Sequence, residues 1–359
     1  MNDDLFSRLF ELFDQPGPIN WKLASEVAKH LSGERVPVEP WAGEEYREMA
    51  RLAEFKVGEV APFPVVAAPD VLPLDPRSWA ERHLEAYGYL VEPMGDAVTL
   101  EGPAAALAGQ LAPALIGLQV GSLVGSVAAW ALAGFDTGLP PDRLLPLTVI
   151  VPHVEAFATN HGLDPRQARL WVVANEVAFR AASGVTWVPD RIGELVAALA
   201  AAIEINPAAL SGLVGSGTNP DEIERALAES GGIEALLGGE QAAAPRAELE
   251  AFLATLAGCA RLVARRSVSD LLPEFDRITA LRDEERSNTA GGLSLGIDAT
   301  PTEPIQAGDL FCQEVERRYG EGALTTLWSE PWRMPSADEL RDPVAWAARV
   351  LLDGWTLSD

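Results

Sequence analysis

Residues 102–135 contain no charged side chain. No other feature restricts the fold of this chain as strongly. A charge-free stretch of this length must either cross a bilayer or be buried among other elements. Gly117, Gly121 and Gly125 recur at a spacing of four. That spacing puts a strip of bare backbone on one helix face and lets a neighbouring helix approach closely. Pro113, Gln110, Gln119, Ser122 and Ser126 interrupt the apolar run, and no basic flank is present to set an orientation in a membrane. A buried core helix is therefore the favoured expectation. A membrane-associated protein using residues 104–134 is the alternative.

Composition narrows the partners. Of the 359 residues, 53 are acidic and 27 are basic, for a formal net charge of −26. Nucleic acid is an unpromising partner, because a phosphate backbone needs a basic stripe. An anionic lipid surface is unpromising for the same reason. The only lysines are Lys22, Lys29 and Lys56. Cys259 and Cys312 allow at most one disulfide, and with four scattered histidines they cannot build a zinc finger or an iron–sulfur site. The N-terminal Met-Asn-Asp-Asp-Leu-Phe lacks the basic region of a secretory signal, so a cytoplasmic location is expected.

Apolar residues fall mostly at helical spacing, so the chain reads as mainly α (α+β). Helices are expected at 3–13 and at 20–32, the second capped by Asn20, and at 42–56. The five prolines from Pro62 to Pro76 read as an extended connection, with helix resuming near Ser78. Leu147–Val151 is the best strand candidate, followed by a short helix over 153–161. Asp164-Pro165 signals a helix start, and Gly184 marks its end. Further helices are expected from Pro189 to Ile205, after Asn219-Pro220, and over 245–265. In the last of these, Leu249, Phe252, Leu253, Leu256, Ala260 and Val263 line one face. Residues 287–304 read as a loop, and 305–320, 336–341 and 343–353 as closing helices. The expected organisation is an N-terminal helical region, 1–98, packed on a core, 99–359, as one compact unit.

Residues 169–192 read Arg-Leu-Trp-Val-Val-Ala-Asn-Glu-Val-Ala-Phe-Arg-Ala-Ala-Ser-Gly-Val-Thr-Trp-Val-Pro-Asp-Arg-Ile. This segment resembles the bacterial zincin-like metallopeptidases, some of which are labelled as associated with biosynthesis of a deazaflavin coenzyme. In that family an Arg-Leu-Trp segment leads into a His-Glu-x-x-His helix, and a Val-Pro-Trp-like element and an Arg-Asp pair follow. Asp75 to Trp79, the glycine-rich helix ending at Phe135-Asp136 and Leu139-Pro140, Leu327-Trp328-Ser329-Glu330-Pro331 and Leu340-Arg341-Asp342-Pro343 are also similar. Together these cover roughly residues 20–352. The resemblance implies a zincin-like fold, with a small sheet including residues 147–151 beside the active-site helix.

In a His-Glu-x-x-His helix the two histidines share a zinc ion and the glutamate is general base to the bound water. By the resemblance, Asn175 stands at the first histidine position and Phe179 at the second, and only Glu176 is retained. The family's later metal-site helix carries a Glu-Gly pair; the similar stretch here is Ala257-Gly258, so Ala257 stands where the glutamate would be. A phenyl ring is no ligand and an amide is a poor one. His153 and His161 are eight residues apart and do not form an i, i+4 pair. With Asn175 and Glu176, Cys259 would not complete a usual zinc set. The expectation is a vestigial motif, Asn175, Glu176 and Phe179, with no catalytic residue, no metal and no cofactor. A residual cleft lined by Trp171, Asn175, Glu176, Phe179 and Ala257 would bind an unknown protein or small molecule. An active hydrolase with an altered site around Glu176, using Cys259 or His153, is the alternative.

Other motifs carry less. Gly212 to Gly217 lacks the lysine of a phosphate-binding loop. Ser183-Gly184 and Ser211-Gly212 lack the nucleophile-elbow pattern. Arg261, Arg265 and Arg266 pair with acidic neighbours or form an anion pocket.

Overall fold

The computed structural model describes residues 17, 19–66, 70–90, 92–93, 103–141, 146–202, 204–205, 237–238, 240–289 and 302–352. The fold is mainly helical. Its helices are α1 (Trp21–Leu31), α2 (Trp41–Val60), α3 (Pro76–His83), α4 (Pro103–Ala128), α5 (Val151–Asn160), α6 (Pro165–Ser183), α7 (Val188–Ala202), α8 (Ala243–Ser267), α9 (Phe275–Thr289), α10 (Thr302–Tyr319), α11 (Glu321–Leu327) and α12 (Pro343–Leu351). One apolar cluster runs through the molecule, with members from Ile19 to Val350.

Local chemistry explains the boundaries. Asn20 accepts from the Leu23 N–H at 3.0 Å and caps α1. Asp75 accepts from the N–H groups of Arg77 and Ser78 ahead of Pro76, and Asp164 accepts from Gln167 ahead of Pro165. In α6 the Gly184 N–H closes the last turn on the Arg180 carbonyl. Several boundaries differ from the sequence expectation; the helix expected to reach Ile205 ends at Ala202, for example. Val151, read as strand, is the first residue of α5, because Pro152 suits a first helical turn. Helix α9 continues to Thr289, three residues into the stretch read as loop. The expected helices at 3–13 and after Asn219-Pro220 lie outside the described residues.

The charge-free segment folds as α4, and its glycine face is packed on α1. A Cβ at Gly117 would collide with the Asn20 carbonyl, one at Gly121 with the Ala24 backbone, and one at Gly125 with Ala28. The small residues Asn20, Ala24 and Ala28 have the same spacing of four, so the two helices meet backbone to backbone. The Asn20 N–H donates to the Pro113 carbonyl at 2.9 Å. Val120, Val124 and Ala128 are fully buried. Among the described residues, no helix is long and apolar enough to cross a membrane.

The proline-rich connection contains a strand that sequence patterning did not reveal. Val71–Leu74 (β1) pairs in parallel with Leu147–Ile150 (β2), in the register Leu72 to Thr148 and Leu74 to Ile150. Pro73 is tolerated because β1 is an edge strand. Strand β2 is buried throughout and lies against α6, which places the small sheet beside the Asn175–Phe179 helix.

Candidate functional site

From Trp171 to Ala182, α6 is buried on every face except at Arg180. A helix surrounded in this way must satisfy each polar side chain internally. Asn175 does so on its own helix, donating Nδ2–H to the Trp171 carbonyl at 2.8 Å. The Trp171 indole donates to Thr279 Oγ1 at 3.0 Å, and its ring meets Phe135 edge-on at 5.5 Å.

Glu176 is buried and held by main chain. The Phe135 N–H donates to Oε2 at 2.7 Å, and the Thr148 N–H is a second backbone donor. The short 3-10 turn Gly134–Thr137 supplies the first donor and β2 supplies the second. Gly134 permits the close approach, because a Cβ there would stand 2.9 Å from Oε1. Burial pushes the Glu176 carboxyl up to about 7, and the nearby Asp136 charge adds to this. The two backbone donors and Arg180 pull it down.

The turn beneath Glu176 is fixed by a buried ion pair. Asp136 is fully buried, accepts the Leu132 N–H at 2.7 Å and pairs with Arg282 at 2.9 Å. Arg286 donates to the Asp136 carbonyl at 2.9 Å. Burial and the neighbouring arginines push Arg286 down to about 10.

Above Glu176 lies a partly open cavity of about 40 Å³. It holds no more than a few water-sized groups. His83, Tyr87, Gly134, Glu176, Phe179 and Ser183 line it, with Pro141, Pro146 and Arg180 completing the wall. Of the expected cleft residues, Glu176 and Phe179 line this cavity. Trp171, Asn175 and Ala257 are buried beside or behind it and are not part of its wall.

His83 and Tyr87 were not among the residues picked from sequence. Trp79, His83 and Tyr87 recur every four residues along α3 and the 3-10 turn after it, and that aromatic face was the available signal. The His83 ring stacks on Trp79 at 4.0 Å and donates Nδ1–H to the Trp79 carbonyl at 2.8 Å. Its Nε2 accepts from the Thr148 hydroxyl at 3.2 Å, and Thr148 in turn accepts from the Trp79 indole at 3.1 Å. Burial pushes His83 down to about 4, so the ring is neutral near pH 7. Burial also raises the Tyr87 hydroxyl.

The other candidates are engaged elsewhere. His153 faces the Ala131 carbonyl through Nδ1 at 2.8 Å, and His161 faces Glu285 at 2.9 Å. Cys259 is buried, takes the Trp328 indole N–H at 3.1 Å and lies beside Cys312. Neither His153 nor Cys259 lines the Glu176 cavity. Arg261 forms a two-bond pair with Asp283, Arg265 pairs with Asp276 and Asp309, and Arg266 with Glu316 and Glu321. Pairing therefore accounts for that arginine cluster.

Zinc is the metal a His-Glu-x-x-His scaffold would bind, and the side chains at the matching positions do not fit it. Asn175 places its amide N–H on α6 itself and offers only an amide oxygen, Phe179 offers a ring, and Ala257 offers a methyl group. Among the described residues, no group of three or more histidine, cysteine or carboxylate side chains could hold a metal ion.

The zincin-like metallopeptidase model matches residues 19–347. A crystal structure from Chloroflexus aurantiacus, of a candidate hydrolase with a novel fold, superposes with a TM-score of 0.65 at 20% identity, covering 92% of this chain and 98% of that one. No curated protein matches the sequence.

Proposed function

Because this chain belongs to the zincin-like metallopeptidase family, we propose that it is a member that works without the family's metal, by binding rather than by peptide hydrolysis, and that the cavity over Glu176 is its binding pocket. The observation that carries this reading is the state of α6. The retained carboxyl is clamped by the Phe135 and Thr148 N–H groups, while Asn175 and Phe179 flank it with a committed amide and a phenyl ring. In a His-Glu-x-x-His mechanism the glutamate acts on a water held by the metal, and the side chains flanking Glu176 do not supply the histidine ligands for one. The altered-hydrolase reading needs a second reactive group beside Glu176. His153 and Cys259 are occupied elsewhere, and His83 has both ring nitrogens in hydrogen bonds, which favours binding.

The ligand is a small molecule or a narrow protruding group, because the cavity admits nothing larger. The net charge of −26 supports a partner other than nucleic acid or an anionic membrane. Elemental analysis of protein purified without chelator is expected to find zinc far below one ion per chain. Stoichiometric zinc, with peptidase activity that disappears in Glu176→Gln, would overturn the reading.

A further inference from the structure

We propose that the cavity over Glu176 binds a small ammonium group, a primary amine carried on a short apolar stem. This rests on the binding reading above and assigns its ligand class. The wall is largely apolar, with Phe179, Tyr87, Pro141 and Pro146 around one carboxyl, and the Arg180 guanidinium on the same wall donates to the Val66 carbonyl. That carboxyl accepts from main-chain N–H groups, and a carboxylate has about four acceptor positions, so capacity remains for an incoming donor.

The neighbouring side chains are already committed. His83 uses Nδ1 on the Trp79 carbonyl and Nε2 on Thr148, and the Ser183 hydroxyl donates to the Phe179 carbonyl at 2.7 Å. Arg180 donates to the Val66 carbonyl at 3.0 Å. An ammonium supplies three donors and the matching charge, and the Phe179 and Tyr87 rings favour a cation in their company. An anion would instead meet Glu176 and, behind it, the buried Asp136.

Binding then depends on ionisation of Glu176. The groups facing it are Asp136 from the 3-10 turn, Arg180 from its own helix, and His83 and Tyr87 from α3 and the turn that follows. His83 and Tyr87 stay neutral between pH 5 and 8, and Asp136 is ion-paired with Arg282. Affinity for the amine therefore rises with pH as Glu176 loses its proton.

The test is calorimetric titration of the full chain with methylammonium and ethylammonium. Tetramethylammonium is the control cation without N–H donors, and acetate is the control anion. Saturable binding of the primary amines is expected, weaker for tetramethylammonium, absent for acetate, and lost in Glu176→Gln. Between about pH 8 and about pH 5 the affinity is expected to fall about tenfold or more. No saturable binding, equal binding by Glu176→Gln, or tighter binding at low pH would overturn the proposal. The wild-type pH series decides the matter even if the variant does not fold. Zinc is measured on the same preparation. Failure of the amine with zinc-free protein overturns this inference alone, whereas stoichiometric zinc with Glu176-dependent peptidase activity overturns the binding reading beneath it.

Discussion

Glu176 and His83 face the same cavity and pull the pH dependence of stability in opposite directions. The Glu176 carboxyl rises from 4.5 to about 7 on folding. Between those values the folded protein holds the extra proton, so stability falls as pH climbs through that window and levels off above it. His83 drops from 6.5 to about 4. There the unfolded chain holds the extra proton, so stability rises with pH across that window. Each effect is roughly 3 kcal/mol, and they largely cancel where they overlap. Glu176→Gln removes one of them. Its stability, measured by urea unfolding, is expected to gain on wild type by roughly 3 kcal/mol as pH rises from about 4.5 to about 7. Parallel curves for the two proteins would show that the carboxyl is not held neutral by its surroundings. Glu176 itself was legible in the sequence through its position beside Asn175 and Phe179. The proton-holding character of the site was not, because it arises from Phe135, Thr148 and Asp136, which lie far away along the chain.

At the scale of elements, two helix crossings rely on absent side chains. Helix α4 meets α1 through Gly117, Gly121 and Gly125, and α8 meets α10 through Gly258 and Gly308. A Cβ at Gly308 would overlap the Ala254 carbonyl, and one at Gly258 would overlap the backbone of Gly308 and Asp309. Both obstacles are main chain, so relief requires the helices to separate. Gly308→Ala is expected to cost about 2–4 kcal/mol in denaturant unfolding. Gly193→Ala on α7, where nothing lies within 4 Å, is the matched control and is expected to gain about 0.5–1 kcal/mol. Equal effects at the two positions would remove the crossing argument. The helices and their caps were readable because their signals are local, as at Asn20, Asp164-Pro165 and Gly184. Strand β1 was hidden because a four-residue strand containing Pro73 has no periodicity of its own and is defined only by its partner. His83 was hidden with it, since the pairing of β1 with β2 brings α3 against β2, where His83 meets Thr148.

Across the whole molecule, the acidic excess and the arginine pairs act together. Arg282, Arg261 and Arg265 are turned inward onto Asp136, Asp283 and Asp309. Each of these pairs removes one base and one acid from the surface, so the excess of 53 acidic over 27 basic residues is carried by the remainder. Such a surface repels itself, and salt relieves the repulsion. The melting temperature is expected to rise by several degrees between about 0.02 M and about 0.5 M sodium chloride. A fall would mean that exposed ion pairs contribute more than the net charge opposes.

The parallel pairing of Val71–Leu74 with Leu147–Ile150 also sets an order of events on the ribosome. The first strand emerges long before its mate, and between them the chain delivers its most apolar helix. Until Leu147–Ile150 appears, an open strand edge and a greasy helix coexist on one nascent chain, conditions under which unfinished proteins stick to one another. Thr148, one of the two donors that cradle Glu176, leaves the ribosome only with that second strand. Chaperone demand for this protein should therefore peak midway through synthesis, before the pocket has any floor.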